Sequence, residues 1–399
     1  MLSQSEIDDN ISRYSKYFIE NDRNHTSSWQ WIFSKGTNIS CFIQYLNSTN
    51  EEDRINDRID FIRTIFYSLN TPFKFLFFYW TILVFILHKF NFKKPVMKII
   101  LAHFILRSLG DAIEEAGKLL PRYYSTKVTI NQITNTTEFG CNYFSDTPEK
   151  HPLRWVLTRQ LGIILWFSGE IIADWYPLLR TKAVVKNKSI RVVYGTCAMF
   201  NISKLAIIIC HFFLWPSDLY KTEYGQYNQY HVDMFYFYYW VIHLIIIYSS
   251  MIYEFSVYRV LKKNVFQSMQ SNEGFLKKFK SISEYRILIS AIVSAIFLPI
   301  FSVTIFIKFY YFKEKNYHRL EFSFDEIRQS IVNIQYYMIF IDQIFLIFSK
   351  KQNTKMRSFM SYNGISSTKN GDFNDDANNS INRNSNNNNN NNKTKLIYT

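Results

Sequence analysis

The sequence predicts an all-α, polytopic membrane protein with seven transmembrane helices, an outside N-terminus, an inside C-terminus and a disordered cytosolic tail. Three observations carry this. Apolar blocks of about 20 residues, rich in Phe, Ile, Leu and Tyr, recur between Phe66 and Phe348, which is the length a helix needs to cross ~30 Å of hydrocarbon. Lys and Arg cluster immediately beside these blocks. Asn-X-Ser/Thr triplets recur in the N-terminal segment, at Asn10, Asn24, Asn38 and Asn47.

The chain divides into three segments. Residues 1–65 form an extracellular or luminal N-terminal segment with no basic stretch leading into an apolar one, so no cleavable signal peptide is expected. Residues 66–349 form the membrane domain. Its blocks are Pro72–Phe90, Val96–Lys118, Trp155–Leu178, Arg191–Trp215, Asp233–Val257, Tyr285–Phe309 and Ser330–Phe348. The second is weakened by "GDAIEEAG", which keeps a six-span arrangement open. Residues 350–399 carry an Asn run with few apolar residues and are expected to be disordered.

Orientation follows from charge. The segments "HKFNFKKPVMK", "RTKAVVKNKSIR", "RVLKKN" with "LKKFKS", and "SKKQNTKMR" alternate with connections of lower basic density. Basic loops face the cytosol, which places the N-terminus outside, the C-terminus inside, and makes the number of crossings odd. Candidate N-glycosylation triplets at Asn10, Asn24, Asn38, Asn47 and Asn135 then fall outside. The net charge of +14 is the footprint of this placement and not of nucleic-acid binding. The lipid bilayer is the first partner, in a plasma membrane or an endomembrane.

Four cysteines show no metal-type spacing. Cys197 and Cys210 lie in an apolar block, whereas Cys41 and Cys141 lie in polar segments and are candidates for a disulfide if both face an oxidising compartment.

Ionisable residues within apolar blocks cost on the order of 3 kcal/mol near the bilayer centre unless they find partners. Arg107, Asp111 and Glu114 share one helix face by their spacing, as do Glu170 and Asp174. Counting rise from each midpoint puts Arg107, Lys204 and His243 near mid-membrane, with Glu170 and Asp342 slightly to the cytosolic side. An ion pair from Arg107 or Lys204 to Glu170 or Asp342 is expected. Asp174, just before Pro177, is read as close to the interface and separate from Glu170. This network is either helix-locking glue or a switch, ligand or ion site.

The architecture resembles that of G-protein-coupled receptors. Asp174, Trp175 and Tyr176, just before a basic loop, lie where rhodopsin-like receptors carry Asp/Glu-Arg-Tyr, with the arginine missing. Asp111 is similar to that family's acidic sodium-site residue, Pro299 to its sixth-helix hinge proline, and "DQIFL" from Asp342 occupies the place of Asn/Asp-Pro-x-x-Tyr. The resemblance implies a receptor-like protein that takes an extracellular ligand and signals to a cytosolic G protein or other effector through its third, fifth and sixth helices.

Other classes find less. A retinal protein needs a lysine in the last block, which has none. A zinc hydrolase needs converging ligands, but His103, His211 and His243 lie in three different blocks. No nucleotide loop or nucleophile elbow is present, so neither an enzyme nor a bound cofactor is expected. The rival is an ion- or proton-coupled transporter or channel using Arg107, Glu170, Lys204 and Asp342.

Overall fold

The computed structural model describes residues 3–21, 23–130, 136–143, 147–185, 189–263, 274–315, 332–337, 339–348 and 351. The expected tail apart from Lys351, with it most of the last basic cluster, and the triplet at Asn135 lie outside these residues.

The chain is mostly helical. Among the described residues, four helices are long and apolar enough to cross a membrane: Pro152–Ala183, Ile190–Cys210, Gln229–Leu261 and Ile296–Lys315. In chain order the helices are α1 (Gln4–Tyr14), α2 (Ser28–Phe33), α3 (Ile39–Ser48), α4 (Glu51–Lys74), α5 (Phe78–Leu87), α6 (Pro95–Ala116), α7 (Pro152–Ala183), α8 (Ile190–Cys210), α9 (Gln229–Leu261), α10 (Gly274–Lys315) and α11 (Val332–Phe348). Between α6 and α7 the chain adds a two-stranded antiparallel hairpin to the expected helical class, β1 (Ser125–Ile130) and β2 (Thr137–Asn142), with Thr126 opposite Cys141.

Polar signals start the outer helices. Ser3 with Glu6, Ser27 with Gln30 and Asn50 with Asp53 form reciprocal capping boxes, which satisfy backbone N–H groups that a helix start leaves open. Three acids in the first turn of α4 complement its dipole.

The first expected span is not a straight helix. The chain breaks at Phe75–Phe77, and α4 and α5 meet at a 47° bend. Ten residues of α5 rise only about 15 Å, half a bilayer, so a crossing here needs both helices. The break turns Phe75 and Phe77 inward against His103, Phe104, Tyr336, Tyr337 and Phe340. The expected boundary after residue 65 therefore falls inside α4. The second block forms the unbroken α6, with Pro95 at its first position, but its charged residues leave it outside the four apolar helices.

The helix end expected at Pro177 is not there, and the proline expected as a hinge, Pro299, lies inside a continuous helix. α7 continues through Pro177, and α10 through Pro299. A helix-interior proline removes one backbone bond, and membrane helices tolerate this where neighbours supply donors. At Pro177 the bond removed is the one to the Ala173 carbonyl, and the adjacent Asp174 carbonyl accepts from the Tyr253 hydroxyl at 3.0 Å. The N-terminal part of α7 is wound as a π-helix over Trp155–Leu161.

A cap at one end of the molecule ties distant segments together. The disulfide Cys41–Cys141 joins α3 to β2 across a separation of 100 residues. Gly36 bridges to both Phe18 and Tyr124, and Thr126 to Gln226. Thr37 donates to the Gly225 carbonyl at 2.6 Å. The N-terminal segment, the α6–α7 connection and the α8–α9 connection thus share one face of the molecule.

Candidate functional site

α6 and α7 approach closely because glycines line their contact. A Cβ on Gly110 would lie 2.9 Å from Trp166 Cδ1, and one on Gly169 3.0 Å from Arg107 Cγ. Small residues at such contacts let helix backbones come together in membranes. The close approach brings Arg107 onto Glu170: Nη1 donates to Oε1 at 2.5 Å, with both side chains buried.

Lys204 of α8 completes the centre. Its Nζ lies 3.0 Å from Glu170 Oε2 and donates to Asp174 Oδ2 at 2.6 Å, and the residue is 0% exposed. Glu170 and Asp174 therefore form one site with a shared cation. This corrects the expectation that Asp174 sits at the interface apart from Glu170. Like charges one turn apart repel, so a cation between them is what makes the spacing tolerable. From α11, Tyr336 OH lies 3.3 Å from Asp174 Oδ1 and 3.4 Å from the Glu170 carbonyl.

Asp342 joins a second ion pair and not the central one. It accepts from Arg180 Nη1 at 2.5 Å and from Tyr176 OH at 3.1 Å. Gln343 Nε2 donates in turn to the Tyr176 hydroxyl at 3.4 Å. The three cations Arg107, Arg180 and Lys204 face the three anions Glu170, Asp174 and Asp342, so the paired groups carry no net charge. Neutrality matters because an uncompensated ion in such a place is strongly unfavourable.

Towards the N-terminal end of α7 the polar groups continue. The Arg107 guanidinium packs 3.9 Å over Trp166, whose indole N–H donates to Asp111. One turn further, Arg159 lies 3.6 Å from the half-exposed Glu114. His103 meets Gly169 through Nδ1, 3.0 Å from its carbonyl, and packs on Tyr336. His243, expected in the same network, has aromatic surroundings. It is buried among the rings of Phe167, Tyr239 and Trp240.

Outside the membrane segments the glycosylation candidates differ. Asn24 and Asn47 are exposed, whereas Asn38 is half-buried, caps α3 and donates from Nδ2 to Thr126 at 3.0 Å. Asn10 lies in α1 and spends its amide on the Glu6 carbonyl. Among the described residues, no group of three or more His, Cys, Asp or Glu is placed to hold a metal ion.

Sequence reasoning missed Arg180, Tyr176, Tyr253 and Tyr336 as partners. For Arg180 a signal existed, since Tyr176 and Arg180 are one turn apart and share a face. The tyrosines carry no such signal in a chain with 28 of them. Comparison with known protein families, with characterised proteins and with solved structures finds no match.

Proposed function

We propose that the chain is a seven-span, receptor-like membrane protein, N-terminus outside and C-terminus in the cytosol, whose central ion network holds a resting arrangement of α6, α7, α8 and α11. The observation that carries this reading is the neutral buried network itself. One cation, Lys204, restrains two acids, and a second tie, Arg180 to Asp342, joins α7 to α11. A network of this kind has alternative pairings available if helices shift, which is what a two-state element requires. The shared face of the N-terminal segment, the α6–α7 connection and the α8–α9 connection supports alternating crossings, and its disulfide supports an oxidising side. The exposed Asn24 and Asn47 suit a glycoprotein.

A second reading has its own support. From Arg159 to Arg180 the charged groups follow α7 for about 31 Å, close to the thickness of a bilayer core, and a polar file of that length suits proton- or ion-coupled transport.

The deciding experiment uses Glu170→Gln and Asp174→Asn. In a receptor both variants raise basal guanine-nucleotide exchange in membranes that contain the protein at normal surface levels. Unchanged basal exchange, together with proton or ion flux into liposomes that Glu170→Gln abolishes, overturns the receptor reading in favour of transport.

A further inference from the structure

The short helix α2, "SWQWIF", divides its aromatic residues between two faces. Trp31 is buried in the core with Trp155, Leu214 and Leu219. Trp29 and Phe33, four residues apart and so on one face, stack with centroids 6.3 Å apart and are 71% and 63% exposed. An exposed apolar patch on an aqueous cap marks a contact with something else.

The position of α2 identifies that partner. The helix packs on Pro152–Arg154, where α7 begins, and on Pro216–Leu219, just beyond the end of α8. α8 is apolar enough to cross a membrane, and Ile202, Leu205 and Ile209 form an exposed stripe along it that continues into Phe213, 75% exposed. The stripe ends at exposed Trp215, next to the turn on which α2 rests. The outward rings of α2 thus extend the lipid-facing surface of α8 at the level where the spans end. No residue of "SWQWIF" is charged, so entering an interface costs no ion desolvation.

We propose that α2, with Phe213 and Trp215, is a membrane foot that seats the cap in the outer-leaflet interface, the region tryptophan side chains favour. The occupant of this face is phospholipid. The foot lies parallel to the membrane and adds no crossing.

The test places a nitroxide at Trp29→Cys, Phe33→Cys and Phe213→Cys of the full chain in phosphatidylcholine nanodiscs. Ile202→Cys serves as the lipid reference and Asn24→Cys as the water reference. Oxygen collisions are expected to exceed those of a water-soluble nickel chelate at 29, 33 and 213, as at 202, with the order reversed at 24. A chelate-dominated result at both 29 and 33 overturns the foot, and the same result at 202 also removes the lipid-facing assignment of α8. A measurement free of labelling uses brominated phosphatidylcholine. Trp29→Phe lowers the quenched share of tryptophan emission if the foot is real, and leaves it unchanged if the indole faces water.

Discussion

Lys204→Met tests the central network most directly. The ammonium is fully buried and touches both carboxylates, at 3.0 and 2.6 Å. Its loss leaves Glu170 and Asp174 one turn apart with Arg107 as their remaining central cation. Breaking a buried pair by removing one partner costs about 3–5 kcal/mol, and that is the expected loss of stability. Adding Asp174→Asn restores neutrality and leaves the Arg107–Glu170 pair intact, so the double variant recovers about 2 kcal/mol of the loss. The readout is already in the chain. Cys197 and Cys210 are free and buried, so thiol labelling during detergent-driven unfolding follows the opening of the bundle. Losses that simply add, with a coupling below about 0.5 kcal/mol, would show that the three groups do not act as a unit.

Three further outcomes follow from other parts of the molecule. Gly169→Leu drives a side chain into Arg107 and Leu106, whose atoms lie 3.0–3.3 Å from a Cβ there. It is expected to cost about 1–3 kcal/mol by overpacking, read by the same thiol labelling. Cys41→Ser removes the bond between cap segments, and a loss of about 2–3 kcal/mol is expected, the low end of the usual range, because the bilayer already confines the unfolded chain. Calorimetry of the cap transition checks it. Burial, with the Arg154 charge adding to it, pushes the His151 imidazole down to about 4. The unfolded chain, with an ordinary value near ~6.5, therefore takes up the proton first as pH falls. The stability contributed by neutral His151 is present above about pH 6.5 and is lost towards pH 4, about 3 kcal/mol in all. His151→Gln flattens that part of the pH profile relative to the unsubstituted protein, and identical slopes would refute the assignment.

The long apolar helices were legible because they fall on apolar blocks of about twenty residues, and the levels of Arg107, Lys204 and Glu170 relative to one another could be counted along them. What the helices touch was less legible. The run "FKFLFFYW" is apolar throughout, so nothing in its periodicity marks the break at Phe75–Phe77. Asp174 was placed near the interface because Pro177 reads as a stop, whereas the helix passes through it with Tyr253 bonded to the adjacent Asp174 carbonyl. Arg180 reads as one more basic loop residue, since its partner Asp342 is 162 residues away. The ring cage around His243 is equally a product of packing. In the cap, β1 is six residues long and pairs with Cys141 and its neighbours across a connection, a pattern too short to outweigh helix expectations.

On the seven-span, N-outside reading proposed above, the Cys41–Cys141 bond would also work as a parity check on biogenesis. Its two sulfurs meet only if the hundred residues between them have carried the chain across the membrane an even number of times. A chain in which α4 with α5 inserts but α6 fails to return leaves Cys141 in the reducing cytosol, with its partner on the other side. Such a chain keeps two unpaired thiols, the kind of mark by which a secretory compartment can hold a protein back. The same covalent link that steadies the cap therefore reports whether the least apolar of the expected spans has entered the bilayer.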